Sequence, residues 1–382
     1  MSAIVLISHD LGAGGAQRKM ADVARCLTTN GERTTATIHL LLQEGPPADP
    51  GERALFDSVA ASVVRIHCRP PPWAGVLAVP FPFFCFWHVL RLRPERIIGF
   101  LRGPGIIAVA LRRLFWWRRM RVGISDDSFP SGAIVEQTRG ATHAAALRQL
   151  VRASYPRADW IAAASDAARS DLIESFSVPP ERITVGRNWV SSASPTEQAV
   201  EGPAMIPDGG FDLIYVGRLA PVKNLSLFVE LVRDVREIHA SVRAVIVGGG
   251  AGLAALERQC ARLGLADNLT FAGWQRDVTP WLRASRLFLI TSHHEGLPIA
   301  ALEAMALGLP VIGTWYPGAD ELVQEGETGF LCRDRAEFVD RIRACLTQED
   351  LRRRLGERAA ERVASHFGPD NLRRFVELVV RG

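Results

Sequence analysis

The chain has 382 residues, 48% of them apolar and 23% charged. That is an ordinary globular composition, long enough for two domains and rich enough in apolar residues for a sizeable core. Six cysteines, at 26, 68, 85, 260, 332 and 345, form no C-x-x-C pair, which argues against a zinc site or a disulfide framework and fits a reducing compartment. The net charge of +4 is uneven: residues 1–210 hold 23 Lys and Arg against 19 Asp and Glu, and the remainder is balanced at 22 each. Only two of the 45 basic residues are lysines, Lys19 and Lys223, so a lysine here stands out against the composition.

Residues 3–8, AIVLIS, read as a buried strand. His9 and Asp10 interrupt the apolar run and a charged leading region is missing, so no signal peptide is expected. A glycine turn, Gly12 to Gly15, leads into a helix over about 16–30 with Met20, Val23, Ala24 and Leu27 on one face. Gly31 ends it, and 34–42 reads as the next strand, the βαβ start of a doubly wound domain. Further on, 158–165 reads as a strand, 166–176 as a helix, and 183–186 as a short strand ending near Asn188. Residues 191–210 are small, polar and rich in Pro and Gly, a linker composition.

A second series of strands and helices begins at Phe211, with a helix over 224–238 and strands at DLIYVG, RAVIVG, LTFAG and LFLIT. Alternation at this spacing implies a parallel sheet. Ligands on such sheets bind at the carboxyl ends of the strands, where Gly217, Gly248, Gly273 and Ser292 fall. Neither glycine turn fits a dinucleotide fingerprint. Gln17 stands where a glycine or alanine belongs, no acidic residue stands out near the end of the next strand, and the turn at 248–250 has Leu253 in its sixth position. A hydride-transferring enzyme is therefore the weaker reading.

Residues 292–314, SHHEGLPIAALEAMALGLPVIGT, carry two carboxylates eight positions apart, Glu295 and Glu303. Pro298 fits the first helical position, and Gly308 followed by Pro310 stops the helix. Glu303 then lies about 7.5 Å along the axis from the helix start. One end of a single element offers unpaired N–H groups for phosphate oxygens and carboxylates for sugar hydroxyls. Upstream, Arg218 follows a strand and Lys223 precedes a helix that Asn224 can cap. Two cations at such a mouth suit a diphosphate.

The stretch EGLP…LEAMALGLPVIGT resembles the Glu-x7-Glu signature of the retaining glycosyltransferases of family 4, the glycosyl transferases group 1. The resemblance is strong over 211–330 and looser over 1–200. It implies two doubly wound, Rossmann-like α/β domains facing across a cleft, the B-type glycosyltransferase architecture. The expected layout is an acceptor-binding domain at 1–195, a linker at 196–210, a nucleotide-sugar domain at 211–365, and a helix over 366–382 crossing back to the first domain. Residues 217–224 resemble the family's GRL…KN segment, whose Arg and Lys hold the donor diphosphate. This assigns Gly217, Arg218, Lys223 and Asn224 to the donor, together with Glu295, Gly296, Leu297, Pro298, Ile299 and Glu303. Gly14 and Gly15 match the loop that meets the donor phosphate and sugar.

Glu321, after Gly318, matches a turn beside the donor sugar, and equally suits a helix N-terminus as an acidic residue there. Trp274 and Gln275 match the region bordering the base and do not separate uridine from guanosine. The histidine that many members carry at a strand end of the first domain is missing. The corresponding stretch, 121–130, offers Asp126 and Asp127, which either orient an acceptor hydroxyl or make an Asx turn before Pro130. His9 is a further candidate. The catalytic set is thus Glu295, Arg218, Lys223 and Asp126. Adjacent aspartates on a strand point in different directions, so no metal site is read, and no cofactor is expected.

Residues 73–90 are almost wholly apolar but contain Pro80 and Pro82, a poor membrane-spanning helix. Residues 91–121 hold nine arginines and one acid, Glu95, interleaved with Trp and Phe. That mixture suits a lipid–water interface or a lipid-diphosphate acceptor; a core or cleft loop is the other reading. No nucleic-acid recognition motif is present. The expectation is a retaining transferase moving a hexose or N-acetylhexosamine from a nucleotide diphosphate sugar to a lipid-linked glycan, cytoplasmic and peripheral on the inner membrane face. The rivals are a non-catalytic sugar-nucleotide binder and a soluble transferase acting on a small molecule. Oligomeric state is not legible.

Overall fold

The computed structural model describes residues 3–11, 14–29, 36–46, 50–61, 64–69, 80–137, 140–190 and 206–382. The chain divides into two compact units, Met1–Asn188 with Asn371–Gly382, and Trp189–Asp370. The break after Asn188 precedes the expected linker, whose residues 196–205 lie outside the described ones.

The first unit runs β1 (Ala3–Ser8), α1 (Gly15–Thr29), β2 (Thr37–Leu42), α2 (Pro50–Ala60), β3 (Val64–Cys68), α3 (Phe81–Leu92), β4 (Arg96–Phe100), α4 (Arg102–Leu114), β5 (Arg121–Asp126), α5 (Pro130–Gln137), α6 (Ala141–Ser154), β6 (Trp160–Ala163), α7 (Asp166–Phe176) and β7 (Ile183–Val185). The second runs β8 (Phe211–Val216), α8 (Leu225–Ile238), β9 (Ala244–Val247), α9 (Leu253–Arg262), β10 (Leu269–Gly273), α10 (Thr279–Arg283), β11 (Ser285–Ile290), α11 (Ile299–Ala306), β12 (Val311–Thr314), α12 (Ala319–Leu322), β13 (Gly329–Cys332), α13 (Arg335–Thr347) and α14 (Glu349–His366). A last helix, α15 (Pro369–Arg381), begins in the second unit and contributes the rest of its length to the first.

Both sheets are parallel, in the orders β3-β2-β1-β4-β5-β6-β7 and β10-β9-β8-β11-β12-β13. Helices cover such strands on both faces, so they read as continuous apolar runs. β1 and nearly all of β8 are buried from end to end. Chain order reverses between β1 and β4 and between β8 and β11, and a crevice opens at each reversal. Helices follow suit: Leu225, Phe228, Leu231, Val232 and Val235 make the buried stripe of α8, each burial worth about 1.5–3 kcal/mol.

Polar contacts fasten the carboxyl edge of the first sheet. Lys19 of α1 is 1% exposed, donates to Asp127 Oδ1 at 2.7 Å and to the Gly186 carbonyl at 3.2 Å, and lies 4.6 Å from the Phe375 ring centre. Phe375 of α15 also packs against Trp160 and Phe100, and at the opposite, amino edge Arg121 donates to the carbonyls of Arg381 and Gly382. The carboxyl edge also carries a strained residue, Leu101, at φ 71 and ψ 170, a region that glycine alone adopts freely and that costs about 1–3 kcal/mol.

Three histidines meet on the other side of the sheet order. His39 Nδ1 and His67 Nε2 share a hydrogen bond of 3.0 Å, and the His67 and His88 rings lie 4.7 Å apart. Burial, then the positive charge that His67, Arg65 and His88 would add, lowers the His39 pKa to about 4.

Two outcomes follow from these contacts. Asp127→Ala leaves the buried Lys19 without its carboxylate and is expected to destabilise the first unit by about 3–5 kcal/mol, read by urea denaturation. His39 in the unfolded chain takes its proton near pH 6.5 while the folded chain resists until about 4. Stability therefore falls as pH drops through that window, by about 2 kcal/mol between pH 7 and 5 for this group. His39→Asn should flatten that slope in denaturation curves at the two pH values.

Candidate active site

The site of the second unit is built at its chain reversal, from the loops after β8 and β11. After β8 the chain passes Gly217, exposes Arg218, and makes a short 3-10 turn over Pro221–Lys223. Asn224, at φ 46 and ψ 46, joins that turn to α8. The expected side-chain cap does not form: a left-handed residue points its side chain away from the first turn, and Asn224 caps by conformation alone. Gly217 is at φ 154, and a Cβ there would stand 2.6 Å from the Tyr215 hydroxyl. The missing side chain lets Tyr215 donate to the Arg218 carbonyl at 3.1 Å.

The second loop is stitched to the first. His293 N donates to the Val222 carbonyl at 3.0 Å, and Thr291 Oγ1 donates to the Lys223 carbonyl at 2.8 Å. Thr314, ending β12, donates to the Ser292 carbonyl at 2.5 Å. These bonds set two side chains against each other: Lys223 Nζ lies 2.5 Å from Glu295 Oε1, and Ser292 Oγ donates to the same oxygen at 2.6 Å. Among the described residues no donor reaches Glu295 Oε2, which remains an acceptor for an incoming hydroxyl. The pair is 18% and 13% exposed, shielded enough to be strong and open enough to meet a ligand.

Gly296 and Leu297 are buried, and Pro298 is the N-cap of α11, with Ile299 the first helical residue. The expected Pro298 position is thus one residue early. At φ −69 and ψ 116 its backbone is still extended, and the ring fits there because no N–H is required of it. α11 ends at Ala306, and Gly308 at φ 79 reverses the chain. Glu303 is half-buried on α11. Glu321 sits in the one-turn α12 behind Gly318 at φ 89, and its carbonyl accepts from Arg362.

Burial, and then the Glu295 charge, push the Tyr215 and Tyr316 hydroxyls well above the usual tyrosine range, with Arg218 opposing the shift at Tyr215. Both stay neutral, and both feel Glu295. Arg218, Lys223 and Glu295 therefore converge on one electrostatic neighbourhood. Ser292 was expected at a strand's carboxyl end, but Tyr215, Thr291, Thr314 and Tyr316 carry no motif that singles them out in the sequence. Polar residues at the last position of a strand, or just past it, were the available signal. Gly248 completes the neighbourhood: at φ 143, a Cβ there would stand 1.9 Å from the Gly217 carbonyl oxygen.

Asp126, Gly14 and Gly15 lie in the first unit. Gly15 opens α1, and the Gly14 carbonyl accepts from Arg18 N at 3.0 Å; Gly12 and Ala13 of the same turn lie outside the described residues. Asp126 takes the second of its two expected arrangements, the Asx turn. It is 1% exposed, Oδ1 accepts from Ser128 N at 3.2 Å and Ser128 Oγ at 2.5 Å, and Oδ2 accepts from Tyr155 at 2.7 Å. Its carboxylate makes the Asx turn before Pro130 and satisfies a buried phenol. Asp127 turns the other way, to Lys19. His9 Nδ1 shares a hydrogen bond of 2.9 Å with Gln43 Oε1. Among the described residues no group of three or more His, Cys, Asp or Glu is placed to hold a metal ion.

The profile of the glycosyl transferases group 1 matches residues 201–362, and that of glycosyltransferase family 4 matches 13–193. The chain belongs to the group 1 glycosyltransferases. Among curated relatives of this family, N-acetyl-alpha-D-glucosaminyl L-malate synthase of Bacillus anthracis is 33% identical over 163 residues, 42% of each chain. The match spans between 23% and 56% of the first three relatives' lengths. A Campylobacter jejuni relative, N-acetylgalactosamine-N,N'-diacetylbacillosaminyl-diphospho-undecaprenol 4-alpha-N-acetylgalactosaminyltransferase, is 23% identical over 95% of each chain. Anabaena HepE, solved in complex with UDP and glucose, superposes at a TM-score of 0.76 over 100% of each chain at 18% identity. The fold is that of the B-type glycosyltransferases.

The two site glycines are separable by substitution. Gly273, at φ 67, has open space within 4 Å of where a methyl group would stand, so Gly273→Ala should lose about 1–2 kcal/mol. Gly248→Ala forces backbone against backbone and should lose more than ~2 kcal/mol, together with nucleotide-induced stabilisation, in thermal melts with and without UDP.

Proposed function

We propose that this group 1 glycosyltransferase is a retaining enzyme. It moves a hexose or N-acetylhexosamine from a nucleotide diphosphate sugar to a lipid-linked glycan of a surface polysaccharide, at the inner face of the cytoplasmic membrane. The observation that carries the reading is the Lys223–Glu295–Ser292 arrangement at the chain reversal of the second sheet, with exposed Arg218 beside it and the start of α11 just beyond. The Campylobacter relative's diphospho-undecaprenol acceptor and the UDP and glucose of the HepE complex support the substrate classes.

The chemistry follows from charge. Breaking the sugar–phosphate bond leaves a nucleoside diphosphate, and a cation 4 Å from the new charge is worth about 4 kcal/mol at an effective dielectric near 20. Lys223 and Arg218 supply that cation without a metal. The first N–H groups of α11 add donors for phosphate. Glu295, its Oε1 held by Lys223 and Ser292, offers Oε2 to a sugar hydroxyl, and Glu303 offers a second carboxylate from the same helix. Retention rests on the family resemblance: transfer on the front face, with the leaving phosphate helping to take the acceptor's proton.

Lys223→Ala should lower transfer at least tenfold while far-ultraviolet circular dichroism is unchanged, in line with the loss of one group that stabilises developing charge. A panel of uridine and guanosine diphosphate sugars, each near 100 times its dissociation constant, should raise stability by about 2.7 kcal/mol for the true donor. Unchanged turnover in the lysine variant would remove Lys223 from the reaction.

A further inference from the structure

Helix α3 is apolar on two faces. Phe81, Phe84, Cys85 and Val89 are buried against the core of the first unit. Phe83, Trp87 and Leu90, at i, i+4 and i+7, form a second stripe that is 66%, 60% and 39% exposed. A core-facing helix needs only one such stripe.

The corner after α4 repeats the pattern: Leu114, Trp116 and Trp117 are 57%, 79% and 60% exposed. These six side chains are most of the ten large apolar residues exposed among the described residues. They belong to one surface. Phe86 of α3 stacks on Phe115 at 5.1 Å, Arg118 donates to the Val89 carbonyl at 3.1 Å, and its guanidinium lies 4.9 Å from the Phe115 ring centre. The Trp116 and Trp117 rings meet edge to face at 6.1 Å.

Charge says what covers this surface. Arg91, Arg93, Arg113 and Arg119 are exposed around the aromatic residues, and Glu95 is the single acid between residues 91 and 121. Aromatic residues and arginine are enriched at protein–protein interfaces too, but nine arginines against one acid over residues 91–121 give a field of one sign that an extended anionic surface complements. Tryptophan ringed by arginine instead matches the headgroup level of a bilayer, where the indole sits at the boundary and the cations meet anionic lipid. Among the described residues no helix is long and apolar enough to cross a membrane.

We propose that the outer stripe of α3 and the Trp116–Trp117 corner form one docking face for an anionic phospholipid surface, with the indoles inserted and the four exposed arginines on the headgroups. Arg118 and Arg121 are excluded from that role, since both are spent on backbone carbonyls of this chain. The inference rests on the membrane location proposed above and gives it a surface, and it does not depend on Lys223 or Glu295.

The test is co-sedimentation of the full chain with vesicles of phosphatidylcholine alone and of phosphatidylcholine with phosphatidylglycerol. Binding should be at least tenfold stronger on the anionic vesicles and weaken with salt. Brominated lipid should quench the wild-type tryptophan emission. The variant Trp87→Ser/Trp116→Ser/Trp117→Ser should lose both signals, and Arg113→Glu/Arg119→Glu should lose the preference for anionic lipid. Both variants should keep the wild-type circular dichroism and the thermal stabilisation by nucleotide, which separates this outcome from a failure of the proposed reaction. Equal binding to both vesicle types, binding that survives the tryptophan variant, or a dimer that the tryptophan variant dissolves in place of vesicle binding would each overturn the proposal.

Discussion

The ion pair between Lys223 and Glu295 is the contact on which the proposed chemistry of the second unit depends. Its partners are 72 residues apart in sequence and meet only because β8 and β11 are neighbours at the reversal of strand order. Everything near it serves that meeting. Thr291, Thr314 and the Val222 carbonyl lock the two loops together, Ser292 holds Glu295 Oε1, and two buried, neutral tyrosines feel the carboxylate's charge. A lysine held this way is preorganised for anionic charge, because its position needs no rearrangement when charge develops.

The first unit uses its polar residues differently. Lys19 and Asp127 form a buried clamp joining α1 to the ends of β5 and β7 and to the Phe375 ring, while Asp126 is enclosed by Ser128 and Tyr155. Buried charges persist in a core when they are paired and hydrogen-bonded, and here they hold the carboxyl edge of the sheet rigid. Beside them Leu101 keeps a backbone conformation that ordinary residues avoid, over-determined by its bond to the Ser125 carbonyl at 2.8 Å. The lysine shortage of the composition marks both clamps, since Lys19 and Lys223 are the chain's two lysines and each makes a short ion pair.

Much of the fold was legible because parallel strands covered on both faces leave unbroken apolar runs, and because α1, α8 and α11 carry their periodicity and stop signals locally. The residues that meet at the reversal of the second sheet were legible as a motif. Their geometry was not. Asn224 reads as a side-chain cap and Pro298 as a first helical residue, yet a left-handed turn and an extended backbone place each of them otherwise. Asp126 reads either as an acid for an acceptor or as an Asx turn, and the turn forms together with a bond from a hydroxyl 29 positions away. The apolar run before residue 90 announced itself by composition, but α3 buries one of its faces and exposes the other, which no count of residues distinguishes.

From the sequence alone came the two α/β series, the Glu295–Glu303 spacing, the basic pair at 218 and 223, and the arginine-rich aromatic stretch. These are written in neighbouring residues, where periodicity, turn chemistry and charge act over one or two turns. Tertiary structure alone decided which carboxylate Lys223 meets, which aspartate Lys19 neutralises, why Asp126 is closed, and which aromatic rings face outward. Each of those outcomes is a contact between segments far apart in the chain, and it exists only once the sheet order has set their distance and removed the water between them.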